Sequence, residues 1–446
     1  MQFTLKPPGS DSAAPLSLGA RLAWVSFLAT SVHLVFLQPY LVVIPGERAK
    51  VFSGIWCILS LLLVLIFQRS KAVTWKSPPV IISFALLGLA LISSFCAPNQ
   101  ASSLARAFVI MSAGLGGYWG ARLLLQTTER QRYFLWFSLI LGASILLLCV
   151  SGIWAAGKFF FFFEEHYHPV GSRIILLSFA PLALLFSHSR LKISLGVLLL
   201  GVSYLVLISA GKNGMSSAVF IPIMLGLLAV SLRTWPVKQM IIILCILFVV
   251  SAVAGNLLRT ILANKYPESV DYRIENVRFS WHLALKHPFF GIGLWTMREQ
   301  YLQDYEVKYP SLSGEVFSFW TRKFTTSENN LLTFMADLGF PFVLLYSAGV
   351  IVILVRLMGR ALQPPLGAVL PPLALLLPLM GEILHFQVFD GLFHPQVSWF
   401  FHILLGLAAP STGNYAPIPG VRKGFVVRFL TFGAAITGGA ALGIIL

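Results

Sequence analysis

Four polar clusters interrupt an otherwise apolar sequence. The first is Ser209-Ala210-Gly211-Lys212-Asn213-Gly214, lying between two apolar runs. Two glycines allow a sharp turn at little steric cost and expose backbone N–H groups beside the Lys212 ammonium. That combination suits an anion such as phosphate. The same residues also make a plain tight hairpin with Lys212 reaching to the membrane interface. The second cluster runs from Arg273-Ile274-Glu275-Asn276-Val277-Arg278-Phe279-Ser280-Trp281 to His287-Pro288-Phe289-Phe290-Gly291-Ile292-Gly293. Ile274, Val277, Trp281 and Leu285 recur at helical spacing, which predicts an amphipathic helix against the membrane or the bundle, ended by Pro288 and Gly291. Arg278 falls beside that stripe. It is either a cation directed into a polar cavity or a solvated partner of Glu275 at i, i+3.

The third cluster is Thr325-Thr326-Ser327-Glu328-Asn329-Asn330, directly before a long apolar run. Capping by Thr326 or Ser327, with an acid in the first turn, is one reading. The other makes Glu328 a general base at the mouth of a membrane cavity, taking a proton from a hydroxyl. The fourth cluster is Glu164-Glu165-His166-Tyr167-His168-Pro169, followed by Arg173. Its spacing is not that of a helical zinc motif and no further ligand set is specified, so we read no metal site in it. It reads as a polar loop that contacts substrate through His168 and Arg173. His385 and His394, with Glu382 and Asp390, flank a late loop, where they either line the same cavity or pair with one another.

The elements that must position these clusters are membrane helices. The 446 residues are 57% hydrophobic and 11% charged, against about 25% charged in soluble domains, and mean hydropathy is +0.83. Spans are predicted near residues 22–44, 51–68, 80–96, 104–125, 133–154, 172–188, 193–210, 214–232, 239–258, 329–355, 366–389, 396–410 and 425–446. The fold class is therefore all-α, a polytopic transmembrane helical bundle of roughly 12–13 spans. The expected divisions are a cytoplasmic N-terminus over 1–21, N-terminal helices over 22–258, a large loop over 259–328, and C-terminal helices over 329–446. No cleavable signal peptide is evident, because the first apolar run is long enough to be an uncleaved span. Cys57, Cys96, Cys149 and Cys245 lie in or beside apolar runs without a metal or redox spacing, and read as packing residues.

The net charge of +16 reflects topology and not nucleic-acid binding. One set of alternate loops holds Arg69, Lys71, Lys76, Arg122, Arg130, Arg132, Arg190, Lys192, Arg233, Lys238, Arg356, Arg360, Arg422 and Lys423. The other set is poor in such residues. The positive-inside rule then puts the rich set and the N-terminus in the cytoplasm, and the loop at 259–328 on the outer side. Lys212, Arg278 and Glu328 fall on that outer side together.

The order of these clusters resembles the O-antigen ligase and O-antigen polymerase family of bacterial envelope glycosyltransferases. The resemblance rests on Gly211-Lys212-Asn213-Gly214 at a turn, then Arg278 three residues before Trp281 and the run Pro288-Phe289-Phe290-Gly291-Ile292-Gly293. Glu328-Asn329 follows, then Leu332, Met335 and Gly339. It covers about residues 205–345. Lys212 stands where the family usually has Arg, and Glu328 where ligases usually have His. Both changes keep a cation for phosphate and a base for a hydroxyl.

The resemblance implies a GT-C-like architecture whose large loop forms a periplasmic subdomain in the bacterial inner membrane. It implies transfer of a glycan from a polyprenyl (undecaprenyl) diphosphate carrier to an acceptor hydroxyl, with inversion and without metal or other cofactor. Lys212 and Arg278 would stabilise the leaving diphosphate, with Arg273 a weaker candidate. Glu328 would be the base, Asn329 would orient it, and Asn213 would contact substrate. The acceptor would be a glycan, a lipid or a glycoprotein, with other envelope polysaccharide assembly proteins as further partners. The Glu328 change tilts the expectation toward polymerase or exopolysaccharide work. A transporter or flippase would instead place coupling-ion residues at mid-bilayer, and a non-catalytic scaffold would tolerate Glu328→Gln.

Overall fold

The computed structural model describes residues 17–37, 46–67, 77–158, 162, 167–187, 189–209, 267–297, 300, 329–361, 369–386, 389 and 391–409. Thirteen α-helices are traced among the described residues. They are α1 Leu18–Val32, α2 Gly46–Phe67, α3 Pro78–Cys96, α4 Gln100–Leu124, α5 Thr128–Ala156, α6 Tyr167–Leu177, α7 Phe179–Leu185, α8 Arg190–Ser209, α9 Pro267–Lys286, α10 Asn330–Leu338, α11 Phe340–Ala361, α12 Pro372–His385 and α13 Pro395–Ala408. A π-helical turn, His33–Leu37, extends α1, and a 3-10 turn, Gly391–Phe393, precedes α13. Among the described residues, six apolar stretches are long enough to cross a bilayer, including Pro78–Cys96, Thr128–Ala156 and Phe340–Ala361. The chain is an all-α polytopic membrane protein. The expected spans at 214–232, 239–258 and 425–446 lie outside the described residues.

Local sequence accounts for the helix ends. The Asn99 side chain accepts the Ser102 N–H at the start of α4, and the Thr127 hydroxyl accepts the Arg130 N–H at the start of α5, each satisfying an N–H that has no partner inside the helix. Helix α5 stops at Gly157, which adopts φ 65°, a conformation cheap only for glycine. Two expected spans are interrupted. The apolar run at 329–355 divides at Gly339, where φ is 83°. The run at 172–188 divides at Ser178, between α6 and α7. Hydropathy cannot register either break, because the residues on both sides stay apolar.

Helix α4 is the central column. It packs on α2 and α13, and most of its residues are buried. Lipid supplies no hydrophobic force between helices, so association depends on close packing and interhelical hydrogen bonds. Gly117 lies against the backbone carbonyl of Trp399, Gly116 against the Trp399 ring, Gly114 against His402 and Gly120 against Phe27. In return, Gly406 of α13 meets the carbonyl of Tyr118. The Trp399 indole N–H donates to Ser31 Oγ at 3.0 Å, and Tyr346 OH pairs with His402 Nε2 at 3.2 Å. Cys57 and Cys149 are buried free thiols, in keeping with packing roles, and Cys96 is exposed.

A methyl group at Gly117 would overlap the Trp399 carbonyl, whereas one at Gly88 meets nothing within 4 Å. Gly117→Ala should therefore destabilise the bundle by about 1–3 kcal/mol. Gly88→Ala should be neutral or slightly stabilising. Thermal unfolding of the two variants in the same detergent checks the difference.

Candidate functional site

One end of the bundle collects a cluster of buried polar residues that bond to one another and to the main chain. The basic side chains Arg122, Arg130, Arg190, Arg356 and Arg360 belong to other helix ends, where Arg130 donates to the Leu124 carbonyl and Arg360 to that of Ala408. At the polar end, the chain leaving α9 folds back on the end of α10. The Ile292 N–H donates to the Ala336 carbonyl at 3.0 Å and the Gly293 N–H to the Asp337 carbonyl at 2.9 Å. The Phe340 N–H closes the pair by donating to the Pro288 carbonyl at 2.8 Å. These bonds engage carbonyls in the last turn of α10, where the helix can no longer do so.

The approach needs glycine on both sides. Gly291 (φ 64°) and Gly339 (φ 83°) adopt left-handed backbone, and a methyl on either would overlap the opposing main chain, Asp337 for Gly291 and Phe289 for Gly339. Gly293 (φ 90°) likewise lies against Ala97. Ordering of Pro288, Gly291, Gly293 and Gly339 in the sequence thus corresponds to one backbone-to-backbone joint.

Next to the joint, Asp337 is fully buried. Its Oδ2 accepts the Trp295 N–H at 3.0 Å and its backbone carbonyl accepts Ser93 Oγ–H at 2.7 Å. Its Oδ1 has no hydrogen-bond partner among the described residues. Trp295 is a non-glycine residue at φ 67°, a costly conformation that persists only when its surroundings fix it. The bond to Asp337 is one restraint. The Arg106 guanidinium, 4.1 Å from the indole centroid, is another.

Asn329 caps α10 by accepting the Leu332 N–H at 3.1 Å. Asn330 then ties this helix start to the segment after α12. Its N–H donates to the Phe386 carbonyl, its Nδ2 to the Phe389 carbonyl, and its Oδ1 accepts the Leu392 N–H, all at 3.0–3.1 Å. Phe389 in turn stacks on His168, His385 and His394, with ring centroids 4.9, 5.1 and 5.1 Å away.

Beneath these rings lies a buried polar chain. His168 Nδ1 and His385 Nε2 are 3.0 Å apart, His385 Nδ1 is 3.1 Å from Ser172 Oγ, and the Ser172 hydroxyl donates to Glu382 Oε1 at 2.6 Å. Arg173 is completely buried beside it, donating to the carbonyls of Val35 and Pro169. It joins the end of α1 to α6, a structural task that any substrate contact would share.

The structure therefore brings His168, Arg173 and Asn329 to one end of the bundle, and answers the open question about His385 by pairing it with His168. Lys212, Asn213 and Glu328 lie outside the described residues, as does the side chain of Arg273. Arg278 is exposed on α9, whose Asn276, Phe279, Ser280, Leu283 and Ala284 face the protein. Trp281 and Leu285, two residues of the expected apolar stripe, are 46% and 59% exposed. Those two side chains therefore lie outside the packed face of α9, while Val277 is half-buried. Arg106 and Asp337 were not singled out from sequence. Arg106 counted as part of an apolar run, although a lone cation near the end of a span is itself a signal of function. Among the described residues, no group of three or more His, Cys, Asp or Glu is placed to hold a metal ion.

An all-α bundle with a cluster of buried polar residues, Ser172, Arg173, Asn330, Asp337, Glu382 and His385, near helix ends defines a polytopic membrane protein with a candidate site at the rim of its helices. Residues 174–347 match the family model described as O-antigen ligase. The matched stretch runs from α6 into α11 and contains Lys212, Arg273, Arg278, Glu328 and the whole joint. The match supports membership of the O-antigen ligase and polymerase family, and with it a membrane glycosyltransferase-like role in O-antigen assembly. A search of curated proteins gave no match to the chain.

Because Gly291 is left-handed and in contact with Asp337, Gly291→Ala should cost at least about 1–2 kcal/mol from backbone conformation alone. It should also open the joint. Limited proteolysis should cut the variant in the 288–297 segment at protease levels that leave the parent and Phe290→Ala intact, Phe290 being 41% exposed.

Proposed function

We propose that the protein transfers a glycan from a polyprenyl diphosphate carrier to an acceptor hydroxyl at the outer boundary of a bacterial inner membrane. The observation that carries this reading is the O-antigen ligase match, whose single stretch includes every charged residue assigned to the chemistry. The buried polar cluster of Ser172, Asn330, Asp337, Glu382 and His385 near helix ends supports it further, because a reaction between a lipid-borne diphosphate and a water-borne sugar belongs at the bilayer edge.

In this mechanism the acceptor hydroxyl gives its proton to the Glu328 carboxylate as its oxygen bonds to the anomeric carbon. The bond from that carbon to the carrier diphosphate breaks, and its electron pair leaves with the diphosphate. A single displacement inverts the anomeric centre and needs no metal or other cofactor. Lys212 and Arg278 stabilise the charge growing on the leaving group, the established use of preorganised cations. Arg273 and Asn213 contact the diphosphate or sugar, and Asn329 orients the base. Glu328 in place of the His usual in ligases inclines the reading toward polymerisation of repeat units or exopolysaccharide synthesis.

Purified protein should transfer glycan from lipid-linked oligosaccharide in vitro. Glu328→Gln should lower the turnover by about 10²–10⁴-fold, and Lys212→Ala and Arg278→Ala by roughly 10²-fold each, without loss of folded protein. Full activity in Glu328→Gln would end the catalytic reading. In a deletion strain, single-repeat products point to a polymerase, and long lipid-linked polymer beside bare acceptor points to a ligase.

A further inference from the structure

We infer that Asp337 is a positioning residue for the transfer. By holding the Trp295 main chain against the end of α10, it fixes α9 on α10 in the register that brings Arg278 level with the start of α10. The inference rests on the glycosyl-transfer reading, in which Arg278 supplies a cation and Glu328, just ahead of that start in the sequence, supplies the base.

The register follows from helix geometry. Helices α9 and α10 both run toward the joint. Among the described elements α9 packs chiefly on α10, and its buried side chains extend from Asn276 to Ala284. Arg278 precedes the last residue of α9, Lys286, by eight positions, and Asn330 precedes Asp337 by seven. Those spacings are rises of about 12 Å and about 11 Å along the two axes. Measured back from one joint, Arg278 and the first turn of α10 therefore stand at the same level. A slip of one helix past the other by a single turn would part them by about 5.4 Å.

Asp337 extends the joint where main-chain bonds stop. The carbonyls of Ala336 and Asp337 already accept the N–H groups of Ile292 and Gly293. The Trp295 N–H, two residues on, takes the carboxylate Oδ2 as its acceptor at 3.0 Å. That bond holds a tryptophan at φ 67°, a conformation it would leave if unrestrained. Helices α3 and α4 brace the same point, with Ser93 Oγ–H on the Asp337 carbonyl and the Arg106 guanidinium over the Trp295 ring. The place is a costly one for an acid. Asp337 is fully buried, and its Oδ1 has no hydrogen-bond partner among the described residues, which is unfavourable for a polar oxygen. Two helices also end here, and a helix C-terminus disfavours a negative group. A leucine would fill the same space without either cost, but would leave the Trp295 N–H without its acceptor. The cost of the acid thus belongs to the hold on Trp295 and not to the filling of space.

The test is a double-mutant cycle on the full chain in nanodiscs, with kcat and KM for lipid-linked oligosaccharide measured separately. Asp337→Leu should lower kcat by roughly 10–10²-fold and leave KM near the parental value. Asp337→Asn, which keeps an oxygen for the Trp295 N–H, should restore kcat. In an Arg278→Ala background Asp337→Leu should cost nothing further, because a cation that is absent cannot be misplaced. The same fold loss in both backgrounds would overturn the inference, as would a loss in Asp337→Asn as large as that in Asp337→Leu, or a change in KM alone. If Asp337→Leu yields no folded protein, Asp337→Ser takes its place in the cycle. Failure of both to fold would make Asp337 a purely structural residue and overturn the inference. A parent chain that transfers no glycan, or an Arg278→Ala variant with parental kcat, would instead remove the glycosyl-transfer reading or its use of Arg278, and the inference with it.

Discussion

The backbone of residues 288–293 and the end of α10 satisfy one another's hydrogen bonds, and the polar end of the molecule is organised around that exchange. Main-chain groups near lipid must find protein partners. Here a loop returning from α9 supplies donors to the last turn of one membrane helix and an acceptor to the first residue of the next. The consequence reaches past the joint itself. It breaks one apolar run into α10 and α11, buries Asp337 at the break and holds Trp295 in a conformation that a tryptophan rarely adopts. The start of α10, which carries the Asn329 cap, is fixed at the opposite side by Asn330.

A second constraint acts deeper in the bundle. The glycines of α4 let α13 approach until the backbone of one meets the other. That contact anchors α13 and, through it, the His394 turn and the Phe389 ring at the polar end. Close packing in the interior and polar pairing at the rim are therefore parts of the same structure. Interhelical hydrogen bonds such as Trp399 to Ser31 and Tyr346 to His402 fix register between helices whose surfaces are otherwise alike.

Much of this was legible in the sequence, and for a physical reason. A bilayer demands long apolar helices, so composition and run length reveal α1 to α5, α8 and α11 to α13 without reference to tertiary structure, and α6 with α7 as one run. The order of Pro288, Gly291, Gly293 and Gly339 was legible as a pattern, but its meaning was not, because a joint between two backbones is a contact between segments some fifty residues apart. The breaks at Ser178 and Gly339 were hidden for the opposite reason: hydropathy averages over them. Pairing of His168 with His385 joins residues 217 positions apart, and sequence could offer the two as neighbours only among several possibilities. Arg106 was missed because a charge inside an apolar run was assigned to the run.

Helix α9 has two unlike faces. Phe279, Leu283 and Ala284 are buried, while Trp281 and Leu285 are exposed, and among the described residues the Phe340 ring meets the Trp281 ring edge-on. Since α9 leads directly into the joint, any shift of this helix along its packed face also shifts Gly291 and the main chain that meets α10.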